Sequence, residues 1–235
     1  MKWHLVLSAC ALVAAAPAAA QDMQSDEVIV TASRVERDDY SDTMPAVGLR
    51  RTADFLVQEV TIRGDTRDEK ERRKEIHAML GKAAALAKEN GVELAFGDYV
   101  LTSLTPENID ELDILRDNRP DSERVDFLVK APLGNKESAS TAQARISRFV
   151  EAVPEVGRAQ MDKSGDATLS VVGPDSYRTQ ITARIAADAN ALTQQLGDGY
   201  AVEMEGLNMP VQWARSGLSE VLLYIPYSLK IVPRR

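Results

Sequence analysis

Apolar and polar positions divide this chain into three stretches. Trp3 to Ala19 form a nearly unbroken apolar run behind Lys2, and Ala18-Ala19-Ala20 give way to Gln21-Asp22. A basic start, a short apolar core and a small-residue exit predict a secretory signal over residues 1–20. Residues 21–53 are mostly polar around one β-prone island, Val28-Ile29-Val30-Thr31. That composition buries little surface, so a flexible leader is expected there. From residue 54 onward the apolar positions become periodic, and a folded domain is expected over 54–235.

Within that domain the period changes repeatedly. Phe55 to Arg63 alternates as a strand, with Leu56, Val60 and Ile62 on one side and Phe55 and Val57 on the other. Thr66 followed by Glu69 fits a capping box. The helix it opens runs to about Glu89, with Ile76, Met79, Leu80, Ala83 and Ala87 at helical spacing, and Asn90-Gly91 ends it. Val92 to Leu104 reads as a strand bent at Gly97. A polar excursion then runs through Asn108 to Ser122, and Val125 to Ala131 reads as the next strand. Glu137 to Ala152 predicts a second helix with Ala139, Ala142, Ile146, Phe149 and Val150 inward. Residues 157–172 predict a hairpin around Lys163-Ser164-Gly165-Asp166. Gly173-Pro174-Asp175 launches a third helix along Tyr177, Ile181, Ile185, Ala189, Leu192 and Leu196. Strands follow at Tyr200 to Leu207, Val211 to Ala214 and Val221 to Val232, where Pro226 points to an edge or a bulge.

Strands outnumber helices and short turns join several of them. The expected class is therefore α+β, an antiparallel or mixed sheet with three main helices on one face. Two strand–helix–strand units look alike: Val60 to Asp65 and Ser170 to Asp175 each precede a helix, with Gly-to-Gly spacings of 27 (Gly64 to Gly91) and 26 (Gly173 to Gly199). They suggest two related halves, about 54–132 and 133–235.

Charge narrows the partners. The chain carries a net charge of −8, and losing Lys2 with the signal makes it −9. That excludes nucleic acid and anionic lipid as partners, since both need clustered Lys and Arg. No later apolar run is long enough to span a bilayer. Cys10 is the only cysteine and lies in the signal, so disulfides, thiol nucleophiles and zinc–thiolate sites are excluded from the mature chain. Leu7-Ser8-Ala9-Cys10 also resembles a lipoprotein processing box, under which Cys10 would be lipidated. The apolar run continuing past it favours processing at Ala20.

Candidate chemistry is sparse. His77 is the only histidine after the signal, beside the apolar stripe of a charged helix, where a boundary role is expected. No nucleophile elbow or phosphate loop is present. Asp110, Glu111, Asp113, Asp117 and Asp121 crowd the polar excursion without the central Gly of a calcium loop, so a solvated acidic loop is expected. Trp213, Tyr224 and Tyr227 gather near the C-terminus and are expected to complete the core. No catalytic residue, cofactor or metal is assigned.

Two resemblances add direction. Asp26-Glu27-Val28-Ile29-Val30-Thr31-Ala32-Ser33-Arg34 resembles the TonB box at the mature N-terminus of TonB-dependent outer-membrane receptors, although no plug or barrel follows. The resemblance implies that Val28, Ile29, Val30, Thr31 and Ala32 bind a TonB-like coupling protein by adding a strand to it. The body, over about 55–232, resembles SIMPL-type envelope domains in layout: an Ala-rich helix, Asn90-Gly91-Val92, a strand to Leu104 and Pro106. That resemblance implies a non-enzymatic exported module that self-assembles. The expected function is protein–protein interaction in the periplasm or on the periplasmic face of the outer membrane. The alternatives are a periplasmic hydrolase using carboxylates or a loop-bound metal, and a small-ligand binder with Trp213 at its pocket.

Overall fold

Two ten-residue strands, Phe55–Gly64 and Glu123–Pro132, pair antiparallel from end to end and form the middle of the structure. A computed structural model describes residues 27–30, 45–97, 100–134 and 137–234. In chain order the first elements are β1 (Glu27–Val30), β2 (Leu49–Thr52), β3 (Phe55–Gly64), α1 (Glu69–Ala87), β4 (Glu93–Phe96), β5 (Thr102–Ser103) and β6 (Leu115–Arg116). Then come β7 (Glu123–Pro132), α2 (Ala139–Ala152), β8 (Gln160–Val172) and α3 (Arg178–Leu196). Four short strands close the chain: β9 (Tyr200–Glu205), β10 (Gln212–Arg215), β11 (Glu220–Tyr224) and β12 (Ser228–Pro233).

The class is α+β, as the period changes predict. The main sheet has the order β1-β8-β3-β7-β4-β5, with β6 beside the start of β7, and every pairing is antiparallel. β3 and β4 therefore run parallel with β7 between them, and β7 and β8 run parallel with β3 between them. α1 makes the first crossover and α2 the second. This is the β-α-β-β-α-β order of two interleaved split units, the ferredoxin-like arrangement. The pairing related by topology is thus β3–α1–β4 with β7–α2–β8. The sequence likeness between the segments around α1 and α3 does not extend to topology, because β9 leaves the main sheet to pair with β12. A cut at residue 132 would separate β8 from its neighbour β3, so halves at 54–132 and 133–235 do not form separate units.

Alternation fixes the core. Leu56, Val60 and Ile62 of β3 face the same side as Val125, Phe127, Val129 and Ala131 of β7, and all are buried. Ile76, Met79, Leu80, Ala83 and Ala87 of α1, and Ala142, Ile146 and Phe149 of α2, join them in one cluster. Burying each large side chain contributes about 1.5–3 kcal/mol. α3 buries Ile181, Ile185 and Ala189, and its main neighbours are β9 and the 3-10 turn Pro174–Tyr177 that leads into it. The helix α1 is capped two positions later than the capping box suggests, at Asp68 rather than Thr66. Asp68 accepts from the Glu71 amide, while the Thr66 hydroxyl donates to Glu75 instead.

Four expectations are corrected. First, the leader is not wholly outside the fold. Glu27–Val30 pairs with β8, and Leu49–Thr52 pairs with β11, with Leu49 and Ala53 buried. Short polar segments lack internal driving force, but a preformed edge supplies the hydrogen bonds and apolar cover they need. Second, residues 160–172 form one strand rather than a hairpin. Gly165, at φ +64°, sits where the register with β3 breaks, and the Gln58 amide caps the Ser164 and Gly165 carbonyls at 2.6 and 3.2 Å. A glycine signal here means a bulge. Third, the strand expected over Val92 to Leu104 is a reversal: Gly97, at φ +119°, lets β5 fold back on β4. Fourth, Pro226 falls in a break between β11 and β12, which belong to different small sheets.

The remaining face of the main sheet is concave. Neighbouring strands lie about 4.8 Å apart, so β1 and β7, three steps apart, would be separated by roughly 14 Å in a flat sheet. Yet Glu27 of β1 forms an ion pair with Lys130 of β7. The Leu101 amide, just before β5 at the other edge, donates to the Glu27 carbonyl at 3.2 Å. The two edges curl toward each other over an interior that holds Lys130, Ser170 and the buried Val57.

Candidate partner-binding site

β1 contains the segment singled out for partner binding. Its register places Glu27 opposite Val172, Val28 opposite Val171, Ile29 opposite Ser170 and Val30 opposite Leu169. Thr31 and Ala32 lie outside the described residues. Val28, Ile29 and Val30 thus occupy an added strand, but on this chain's own β8.

Glu27 anchors that strand. One carboxylate oxygen, Oε1, accepts from the Ser170 hydroxyl at 2.6 Å, and Oε2 accepts from Lys130 Nζ. Lys130 is almost fully enclosed, with its side chain 4% exposed. Its ammonium also reaches Glu93 at 3.1 Å and lies 4.1 Å from the centre of the Phe55 ring. Glu27, Glu93 and the ring face together compensate a buried positive charge that would otherwise be costly. Sequence reading missed Lys130 and Ser170. The available signal was parity: Lys130 falls between Val129 and Ala131 on the alternate face of a strand, where a solvated lysine is the ordinary reading.

A second network holds the floor under β1. Asp54 accepts from the Val172 amide at 2.8 Å and from Arg51 at 2.6 Å, and its own amide donates to the Ser170 carbonyl. Arg51 also bonds the Tyr177 hydroxyl and lies over that ring at 4.6 Å from its centre. Asp54 therefore fixes the end of β8 that faces Glu27.

The other candidates disperse. At one end of the sheet a cavity of about 520 Å³ is lined by Arg63, Asp65, Asp117, Arg119, Arg158 and neighbours. Its acids serve as arginine partners. Asp65 takes two hydrogen bonds from Arg158, at 2.6 and 3.0 Å, which hold its carboxyl below the ordinary range. Asp117 is lowered first by the Asn118 amide; burial opposes this, and Arg63 and Arg124 add to it. In the adjoining cavity of about 530 Å³, burial pushes Glu123 up, but hydrogen bonds from Arg73 and Arg72 outweigh it and the net direction is down. A general acid for hydrolysis needs the opposite displacement.

Asp110, Glu111 and Asp113 are exposed, and among the described residues no three His, Cys, Asp or Glu side chains gather as a metal-binding group. His77 Nδ1 lies 3.7 Å from Asp110. Trp213 and Tyr227 pack half-buried against the core, and burial, with Asp188 nearby, raises the Tyr227 hydroxyl. No helix among the described residues is long and apolar enough to cross a membrane.

Comparisons with family models, curated proteins and solved structures returned no match.

Proposed function

We propose that this protein is an exported binding module of the cell envelope, working without catalysis through its N-terminal segment. The partner is an envelope protein with a free strand edge, of which a TonB-like coupling protein is the example the sequence favours. One observation carries this reading: Glu27–Val30 is a short strand at the rim of the sheet, held by backbone pairing and one carboxylate clasp. A segment that adds to one edge in this way has the chemistry to add to another. Asp65, Asp117 and Glu123 are held by arginines, which weighs against their serving as general acids in the hydrolase alternative. The signal over residues 1–20 supplies the address.

The test is capture by a coupling protein's periplasmic domain. Ile29→Pro and Val30→Pro each remove a backbone donor. Both are expected to abolish capture, whereas Glu27→Gln, which loosens the strand from β8, is expected to strengthen it. Unchanged capture in both proline variants would refute the proposal.

A further inference from the structure

The clasp on Glu27 is built from residues remote in sequence: Lys130 lies 103 positions away and Ser170 lies 143. Leu101 supplies the amide that binds the Glu27 carbonyl. Nothing in this recognition depends on the strand being joined to the body that receives it. The site has a definite chemistry: an antiparallel backbone edge at Leu169–Val172, with a hydroxyl and an enclosed ammonium positioned for a carboxylate at the strand's first residue.

We propose that the edge of β8 is an exchangeable strand-acceptor site, and that its occupant in trans is Glu27–Val30 of a second copy of this chain. This rests on the reading above only in requiring that the segment can leave β8. Three observations select a second copy. The clasp is already complementary in charge to Glu27. A four-residue strand adds little cooperative stability of its own, so exchange costs little beyond the bonds that are re-formed. The link from residue 31 to residue 48, 18 residues between β1 and β2, is long enough. Residues 45–48 of it stay with the body, where Val47 packs on the core and Arg184 binds the Gly48 carbonyl; residues 31–44 have a contour that reaches up to roughly 50 Å, while a domain of about 200 residues has a radius of gyration near 17 Å. Two copies that each give and receive β1 close as a two-fold pair, with every clasp satisfied.

Exchange obeys a population rule: emptying the acceptor raises its apparent affinity for a strand in trans. The probe is a fluorescein-labelled peptide with the sequence of residues 24–32, read by anisotropy against the full chain. Glu27→Lys removes the chain's own clasp by placing like charge against Lys130. That variant is expected to bind the peptide at least ten-fold tighter than the unaltered chain. A peptide carrying Lys in place of Glu27 is expected to lose at least ten-fold on Glu27→Lys and to regain it on Lys130→Glu. Mixed Glu27→Lys and Lys130→Glu chains are expected to form a heterodimer by native mass spectrometry that neither forms alone. Should a variant fail to fold by circular dichroism, Glu27→Gln and Lys130→Gln replace it with the same ordering. Equal affinity for the two peptides on every chain overturns the proposal. So does a peptide that binds only the coupling domain, which leaves the envelope-partner reading standing. Peptide binding without capture by the coupling domain supports the exchange and removes that partner.

Discussion

Glu27 and Lys130 meet across two intervening strands, because the main sheet curls its first strand over the interior that holds the lysine. The pair joins the rim of the sheet to its centre. An enclosed ammonium is costly to leave unpaired, so β1 is both a ligand of the fold and a part of it.

Removing Lys130 should expose that dependence. Lys130→Ala leaves Glu27 inside without its cation, and breaking one side of a buried pair costs about 3–5 kcal/mol. Lys130→Met keeps the packing on Phe55 and should cost less. A urea denaturation cycle with Glu27→Gln and Lys130→Met should give a coupling of about 1–3 kcal/mol. Additive losses would show that the clasp contributes nothing.

Acid should act through Glu123. Its carboxylate accepts from Arg72 at 2.8 Å and from Arg73 at 2.8 and 3.0 Å, and its folded pKa lies below the ordinary value of 4.5. A lowered acid contributes stability that is complete above about 4.5 and is lost as pH falls through the folded value. Glu123→Gln should therefore be less stable than the unaltered chain at pH 7, with the gap narrowing as pH falls below 4.5. Thermal melts from pH 7 to pH 3 measure it, and a constant gap would contradict the linkage.

Gly157 should not tolerate a side chain. It holds φ +58°, and a β-carbon there would overlap the Glu75 carboxylate, which accepts from the Arg158 amide and from Thr66. Gly157→Ala should cost roughly 1–3 kcal/mol. Gly199→Ala, with open space around it, should fall within about 0.5 kcal/mol of the unaltered chain. Equal melting temperatures for the two variants would rule out the strain.

The bulge in β8 depends on Gln58. This side chain is buried and its amide serves the Ser164 and Gly165 carbonyls. Gln58→Leu keeps the volume and strands those acceptors, at a cost of about 1–3 kcal/mol. Hydrogen exchange should accelerate at residues 164–167 relative to 169–171; uniform protection along β8 would disprove the capping role.

Local periodicity made the helices legible. Ile76, Met79 and Leu80, Ala142 with Ile146, and Ile181 with Ile185 are the buried faces that their spacing predicts. Glycine was legible as punctuation but ambiguous in kind. Gly97 reverses the chain where a bent strand is expected, whereas Gly165 widens a strand where a hairpin turn is expected, because the choice between turn and bulge depends on whether a partner strand continues alongside.

Sequence alone determined the α+β class, the three helical faces and the strand-forming character of Val28 to Val30, since each depends on contacts within a few residues. Tertiary structure decided where that strand goes, that Lys130 and Ser170 receive its carboxylate, and that the repeated unit is β-α-β interleaved rather than one half following another. Those outcomes rest on pairings between residues far apart in sequence, 103 and 143 positions for the clasp itself. A strand's pattern states what it needs on either side, and only the folded sheet states which segment supplies it.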